Sequence, residues 1–195
     1  MTRVVSLFLP TWPTDRVRRK AGEAAPPGEA PLVLVGHDGR RRVVVAADAA
    51  AQAAGVRVGM AATKAQVLVP GLLVQDADPA ADTEALDRLA LWVLRQYAPM
   101  AAADPPDGIV IDTAGADHLH GGEETMLAAM IERLSASSIA ARAAIADTWG
   151  VAHALARYAA RPIRIAPAGG SAEAIAPGAS LGAGPGCKLR MLGFE

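Results

Sequence analysis

The chain has 195 residues, a formal net charge of −1 and 52% hydrophobic residues, of which few are aromatic. This length suits one domain or two small lobes around a shared core, and the near-neutral charge argues against a uniformly basic nucleic-acid-binding module. The single cysteine, Cys187, cannot form an internal disulfide and fits a reducing compartment. The first residues lack the features of a secretory signal and no apolar run is long enough to span a bilayer, so we predict a soluble, cytoplasmic protein.

The first part of the chain predicts a strand followed by a small unit of strands and short helices. The apolar run that ends at Pro10 is typical of a buried strand, and a Gly-His-Asp-Gly segment between two β-branched runs is typical of a hairpin turn. Alanine-rich residues that stop at Gly55 predict a helix with a glycine end signal. In chain order these patterns predict a strand at 4–9, a loop at 21–30, hairpin strands at 31–35 and 42–46, and helices at 47–54 and 61–68.

The second part of the chain predicts amphipathic helices that alternate with strands. Asp78 followed by Pro79 is a helix start, and apolar side chains then recur at helical spacing as far as Tyr97. In chain order the patterns predict that helix, a strand at 109–112, a helix through 126–134, a strand at 140–146 and a helix from 147 or 148 to 158. From Ala166 onward Gly, Pro, Ala and Ser dominate and predict a poorly ordered linker. This order of elements is typical of an α+β or α/β fold interrupted by a small subdomain.

Three stretches carry recognisable motifs: RVVSLFLPTW at 3–12, AAD at 46–48 with GVRVGM at 55–60, and PPDGIVIDTAG at 105–115 with DHLHGGE at 117–123. In this order and spacing they resemble Y-family translesion DNA polymerases, and most closely the ImuB branch of that family. The resemblance covers about residues 3–160. It implies an α+β fold in which a β-sheet flanked by helices forms a polymerase-like palm with a small inserted fingers subdomain.

The resemblance also implies where the subdomains of such a polymerase begin and end. The palm would comprise residues 1–13 and 77–165, and the fingers-like insertion would comprise residues 14–76. Residues 166–195 would form a flexible Gly/Pro-rich linker and the truncated start of a thumb. The remainder of the thumb and the little finger are expected to be missing from this sequence.

The resemblance implies that the metal-binding positions of the family are degenerate in this chain. Active relatives hold two divalent cations with carboxylates, because hard cations prefer oxygen ligands and the developing charge must be neutralised. Phe8 and Pro10 fall at the two acidic positions of the first strand, and Gly108 falls at the second acid of an Asp-Glu pair. Only Asp107 keeps a carboxylate, so we expect no catalytic metal and no cofactor.

At the nucleotide-binding positions, too, the residues that active relatives use are absent from this chain. Active relatives present a tyrosine and an arginine from the fingers, and lysines from the palm, to the incoming triphosphate. The corresponding residues here are Ala49 and Gln52 in the fingers and Trp149 and His153 in the palm. The resemblance therefore implies a pseudo-polymerase without nucleotidyl transfer activity.

The apolar replacements suggest a second expectation about the former active site. Phe8, Pro10 and Trp149 are expected to pack this site with apolar surface, because carboxylates without a cation repel one another. An aspartate introduced in place of Phe8 would then lie in an apolar setting without a counter-ion and would destabilise the fold.

ImuB-like proteins are similar to adaptors in DNA-damage-induced mutagenesis, and this resemblance implies the partners. They are an error-prone C-family DNA polymerase of the ImuC type, a RecA-like protein of the ImuA type and the sliding clamp, whose binding motif is expected outside this sequence. The protein would be cytoplasmic, associated with the nucleoid after DNA damage and independent of the membrane. Weak, salt-sensitive DNA contacts are expected from four basic side chains, Arg40, Arg41, Arg42 and Arg57.

Two alternatives stay open at the level of sequence. The first is an active error-prone Y-family polymerase with substituted metal ligands. The second is an unrelated α/β metal-dependent enzyme that uses His118, His120 and Asp107, since an H-x-H pair on a strand places both imidazoles on one face. A surface turn is the simpler interpretation of the histidine pair, because two glycines follow it and no further cysteine or histidine cluster completes a site. Asp112 is expected to cap the turn that follows it.

Overall fold

The computed structural model describes residues 3–159 and 161–170 of the chain. These residues form strands interspersed with α-helices. In chain order they are β1 (Val4–Phe8), α1 (Trp12–Ala21), β2 (Leu32–Asp38), β3 (Arg41–Ala47), α2 (Ala49–Ala53), α3 (Ala62–Leu68), β4 (Leu73–Asp76), α4 (Pro79–Gln96), β5 (Met100–Asp104), β6 (Gly108–Asp112), α5 (Glu123–Ala136), β7 (Arg142–Ala146), α6 (Trp149–Tyr158) and β8 (Ile163–Ile165). None of the helices in the described ranges combines the length and the apolar character needed to cross a membrane.

A five-stranded sheet with the strand order β5-β6-β1-β7-β8 forms the larger part of the fold. The central strand β1 is antiparallel to β6 and to β7, while the edge strand β8 is parallel to β7. Side chains alternate along β1, so the sheet has two different faces. Val5 and Leu7 pack in the core formed with α4 and α5, whereas Phe8 packs against a separate apolar cluster that includes Leu155 of α6.

The main core lies between the sheet and the helices α4 and α5. The predicted start of α4 is confirmed, because the Asp78 side chain accepts a hydrogen bond from the Ala81 backbone N–H. Its predicted apolar stripe is also confirmed, since Leu86, Ala90 and Val93 are buried. The stripe of α5 provides the opposite wall of this core through four buried side chains, Met126, Leu127, Met130 and Leu134. Each fully buried side chain of this size contributes about 1.5–3 kcal/mol.

A second, three-stranded sheet with the order β3-β2-β4 has a small core of its own. Strands β2 and β3 form the predicted antiparallel hairpin, and β4 joins β2 in parallel. Helices α2 and α3 cover this sheet with alanines such as Ala51 and Ala65. The buried carboxylate of Asp48 connects the pieces, because it caps α2 at the Ala51 N–H and also accepts from Arg18 of α1 at 2.7 Å.

Several elements differ from the sequence-based expectations. The hairpin turn is at Gly39 and Arg40 instead of 36–39, since Gly36 continues β2 and pairs with Val43. The helix α1 and the strands β4, β5 and β8 were not anticipated by the patterns described above. The linker predicted at 166–195 lies mostly outside the described residues, but Ala166 itself is buried and its carbonyl accepts a hydrogen bond from Arg3.

Candidate functional site

Three of the four positions at which the resemblance implies metal ligands lie together at one end of the five-stranded sheet. Phe8, the last residue of β1, is directly opposite Gly108, the first residue of β6. The Leu9 backbone N–H donates to the Asp107 carbonyl at 2.8 Å, which holds the segment before β6 against the end of β1. Pro10, the fourth position, is exposed. Strand pairing therefore gathers Phe8, Asp107 and Gly108 into one site.

The guanidinium group of Arg157 occupies the space beside these residues. Arg157 lies in the last turn of α6, which packs against β1 and β7. Its Nη2 donates a hydrogen bond to Asp107 Oδ1 at 2.7 Å, and its guanidinium carbon lies 4.7 Å from the centre of the Phe8 ring. The Arg157 side chain is only 13% exposed. Arg157 therefore gives Asp107 a fixed positive counter-charge and also forms a cation–π contact with Phe8.

The missing side chain at Gly108 leaves room for this arginine. A Cβ atom at this position would lie 3.1 Å from Arg157 Nη2, 3.1 Å from the Asp104 carbonyl oxygen and 3.3 Å from Asp104 Oδ2. Asp104 Oδ2 and Arg157 Nη1 are buried and have no hydrogen-bond partner among the described residues. A glutamate in place of Gly108 would thus compete with Arg157 for the same space.

These residues do not fit a pair of divalent cations. Magnesium requires several oxygen ligands in near-octahedral geometry. Here the carboxylates of Asp104 and Asp107 border the space that Arg157 fills, Gly108 offers no ligand, and Phe8 presents a ring. Within the ranges that the structure describes, no three His, Cys, Asp or Glu side chains come together as candidate metal ligands.

The motif that ends in Glu123 has a structural explanation at the opposite end of β1. Arg3 forms a two-pronged ion pair with Glu123, with distances of 2.6 and 2.7 Å, and a further pair with Asp147 at 3.0 Å. It also donates to the Ala166 carbonyl at 2.8 Å. The hydrogen bond to Glu123, followed by the contacts with Asp147, raises the pKa of the Arg3 guanidinium above its ordinary value. Arg3 therefore joins β1 to α5, to the start of α6 and to the end of β8.

The histidines of the same motif do not join Glu123 in a ligand cluster. His118 is exposed, and the ring of His120 packs 5.4 Å from the ring of Tyr97. Gly122 has a φ of +98°, a conformation that side chains rarely adopt, and it turns the chain into α5. Asp112 accepts a hydrogen bond from the Ala114 N–H at 2.9 Å, so the predicted cap of that turn is confirmed.

A protein-family model described as the impB/mucB/samB family matches residues 28–157, which is more than half of the chain. The chain belongs to the impB/mucB/samB family. Members of this family carry the Y-family polymerase domain, so the resemblance seen in the sequence is confirmed. The alternative of an unrelated α/β enzyme that uses His118 and His120 is wrong.

Individual relatives of this impB/mucB/samB domain agree with the family assignment. Protein ImuB from two strains of Caulobacter vibrioides is 44% identical over 139 residues, which cover 70% of this chain and 30% of ImuB. The chain thus spans less than a third of the length of these relatives. A post-insertion binary complex of Dbh DNA polymerase matches with a TM-score of 0.71 at 17% identity, over 88% of this chain and 50% of that chain. DinB from Sulfolobus solfataricus matches with a TM-score of 0.64 at 17% identity, over 84% of this chain and 48% of that chain.

At these identities the solved structures show the fold alone. They confirm the predicted α+β, Y-family-like fold, with sheets flanked by helices.

The residues predicted at the triphosphate positions are divided between two parts of the impB/mucB/samB domain. Ala49 and Gln52 lie on α2, where the Gln52 side chain donates to the Ala47 carbonyl at 2.7 Å. Trp149 and His153 lie one turn apart on α6, with ring centres 4.8 Å apart. Arg157 follows one turn later, so the three side chains form a stripe along α6 that ends at Asp107. Sequence reasoning identified the first two members of this stripe and missed the third.

The expectation that apolar side chains fill the former site holds only in part. Phe8 packs against α6, but Trp149 is 47% exposed and Pro10 is exposed as well. The expectation that an aspartate in place of Phe8 would lack a counter-ion is wrong, because the Arg157 guanidinium already lies against this position. The space beside Phe8 and Asp107 is occupied mainly by the Arg157 side chain and not by apolar side chains alone.

The four arginines predicted to contact DNA differ in their availability. Arg40 and Arg41 are exposed at the hairpin of the smaller sheet. Arg42 forms an ion pair with Asp76. Arg57 donates to the carbonyls of Gln52 and Val56 at 2.7 and 2.8 Å, which directs its guanidinium to the end of α2. Arg40 and Arg41 are consequently the better candidates for phosphate contacts.

Replacing Gly108 with alanine is expected to lower the free energy of unfolding by about 0.5–2 kcal/mol. The new Cβ would overpack against Arg157 and against the Asp104 backbone at a cost of about 1–3 kcal/mol, of which the removal of a strand glycine offsets about 0.5–1 kcal/mol. Urea denaturation measures the change. Gly150→Ala is the control, since a Cβ in the first turn of α6 meets nothing within 4 Å. Equal stability of the two variants would show that Gly108 is not needed to accommodate Arg157.

Proposed function

We propose that this chain is the non-catalytic palm and fingers part of an ImuB-like protein. The observation that carries the proposal is the Arg157 guanidinium, which is bonded to Asp107 between Phe8 and Gly108. Phosphoryl transfer in polymerases relies on metal ions that neutralise the charge developing on the transferred group. The charge of the Asp107 carboxylate is already balanced by the Arg157 guanidinium of the same domain. Asp107 is therefore not available as a ligand for such metal ions.

The triphosphate side of the former site supports the same proposal. Binding of a triphosphate requires cations or hydrogen-bond donors that face its oxygens. Ala49 offers neither, and the amide of Gln52 is engaged with the Ala47 carbonyl. Trp149 and His153 present two rings, tilted by 47° to each other, in place of lysine ammonium groups.

The similarity to ImuB supports an adaptor role for the protein in DNA-damage-induced mutagenesis. The domain would then be retained as a scaffold that presents surfaces to other proteins. The proposed partners are an error-prone C-family DNA polymerase of the ImuC type, a RecA-like protein of the ImuA type and the sliding clamp. The proposed location is the cytoplasm, with recruitment to the nucleoid after DNA damage and weak DNA contacts through Arg40 and Arg41.

Primer extension tests the proposed absence of catalysis. The wild-type chain is expected to extend no primer with millimolar Mg²⁺ or Mn²⁺. The double variant Phe8→Asp/Gly108→Glu is expected to remain inactive, because Arg157 and the four triphosphate positions are unchanged. An active Y-family polymerase in parallel reactions sets the upper limit, and a heat-treated sample sets the lower limit. Templated extension by the wild-type chain above the heat-treated sample would contradict the proposal.

A further inference from the structure

A basic groove lies between α1, α4 and the end of α5, with a volume of about 620 Å³. Pockets of about 300–1,000 Å³ accommodate small ligands or several side chains of a bound segment. The floor is apolar and includes two buried side chains, Trp12 and Leu134, and the partly buried Trp92. The groove thus combines depth with an accessible indole surface on Trp92, and indoles are favoured at sites of protein recognition.

The charge of this groove differs from that of the whole chain. Five cationic side chains line it, namely Arg16, Arg19, Lys20, Arg88 and Arg133, against the single carboxylate of Glu84. The complete sequence has a net charge of −1, whereas the five cations and one carboxylate that line the groove sum to +4. An anionic partner is therefore electrostatically complementary to the groove.

The cations of the groove are not equally available to a partner. Arg16 is paired with Asp82, and Arg88 with Glu84. Arg133 lies over the Trp92 ring, with its guanidinium carbon 5.5 Å from the ring centre. Two further cations, Arg19 and Lys20, are exposed in the last turn of α1 and form no ion pair with any described residue. They form the open rim of the groove.

The groove is separate from the Arg157 site. The helices α4 and α5 pack on the face of the sheet that carries Val5 and Leu7, whereas α6 packs on the face that carries Phe8. A ligand in the groove would therefore leave the former active site untouched.

We propose that this groove binds an acidic peptide segment of a partner protein, with a bulky apolar side chain of that segment packed on Trp92. The shape of the groove favours a peptide over nucleic acid. It is a concavity of limited volume beside the partly buried Trp92, which suits a single side-chain anchor better than a continuous phosphate track. The inference rests on the adaptor proposal, because an adaptor needs a surface of this kind.

Selection from a phage-displayed library of random dodecapeptides on the purified chain tests the proposal. Enriched peptides are expected to be rich in Asp and Glu around one aromatic or large aliphatic residue. Their affinity, measured by fluorescence anisotropy, should fall at least about tenfold against Arg19→Glu/Lys20→Glu, because the rim then repels them. The matched control Arg161→Glu/Arg164→Glu has the same change of charge at two exposed positions beside and on the edge strand β8 and should bind as the wild type does.

Three results would overturn the proposal. Enrichment of peptides without acidic residues, or no enrichment at all, is the first. The second is a loss of peptide affinity that is equally large in the groove variant and in the control variant. Binding of labelled oligodeoxythymidine that depends on Arg19 and Lys20 more strongly than peptide binding does would assign the groove to nucleic acid. All three are distinguishable from failure of the proposed function, because primer extension reports on the Arg157 side of the sheet alone.

Discussion

Replacing Arg3 with methionine is expected to lower the free energy of unfolding by about 3–5 kcal/mol, because the variant removes the largely buried guanidinium group that pairs with Glu123 and Asp147. The Arg3 side chain is 11% exposed, and the side chains of Glu123 and Asp147 are 22% and 23% exposed. Methionine preserves much of the aliphatic stem, so the change reports mainly on the charge and its hydrogen bonds. Urea denaturation of the wild type and the variant measures the difference.

Arg164→Met is the matched control for this experiment. Arg164 is the exposed middle residue of the edge strand β8, so the same substitution there should change stability by less than about 0.5 kcal/mol. Arg3→Lys is expected to be intermediate, because an ammonium group keeps the charge and loses the two-pronged geometry. A loss in Arg3→Met no larger than in Arg164→Met would show that the Arg3 ion pairs do not stabilise the fold.

Replacing Arg157 with alanine is expected to lower the free energy of unfolding by about 2–3 kcal/mol. This loss of stability is smaller than the one expected for Arg3. The Asp107 side chain is 33% exposed, so water can partly solvate its charge once Arg157 is removed. The variant also loses the cation–π contact with Phe8, which contributes about 0.5–2 kcal/mol. A urea melt measures the loss.

A double-mutant cycle with Asp107→Asn isolates the ion pair from the packing of the arginine stem. A coupling energy of about 1 kcal/mol or more is expected between the two side chains. Arg95→Ala is the control, because Arg95 occupies the last turn of α4 as Arg157 occupies that of α6, but is exposed. Additive effects of Arg157→Ala and Asp107→Asn would mean that the arginine does not act as the counter-ion of Asp107.

The elements that the sequence predicted correctly have strong local signals. Helix α4 has an aspartate cap, a proline in its first turn and apolar residues at helical spacing. The hairpin of β2 and β3 has β-branched runs around an Asp-Gly pair, although the pairing extends further than this signal indicated. Local propensity and tertiary packing agree in both cases, so the pattern was sufficient.

The elements that the sequence did not predict owe their conformation to distant contacts. Strand β5 contains three consecutive alanines, which have a low strand propensity, and it is held by pairing with β6. Helix α1 is mostly polar, and its position depends on Trp12 in the main core and on Arg18 bonded to Asp48. Neither contact can be read from a short window of sequence.

The contrast extends to the candidate site. Phe8 and Gly108, at which the resemblance implies metal ligands in active relatives, could be named because each falls within a recognisable motif. Arg157 lies far from both motifs in the chain and reaches them only because α6 packs on β1. One signal was nevertheless present: a carboxylate such as Asp107, retained where no metal is expected, needs some other cation. Arg157 could have been found as the arginine two helical turns after Trp149.

The central place of β1 sets the order in which the two sheets can assemble. Val4 pairs with Asp112 on one side and with Ala146 on the other, so β1 has no neighbour in the larger sheet until β6 or β7 is available. The strands of the smaller sheet lie close together in the chain and can pair early, because short loops cost less entropy to close. Once folded, this unit shortens the effective loop between β1 and β6. Early formation of the smaller sheet is thus expected to bring β1 closer to the strands with which it later pairs.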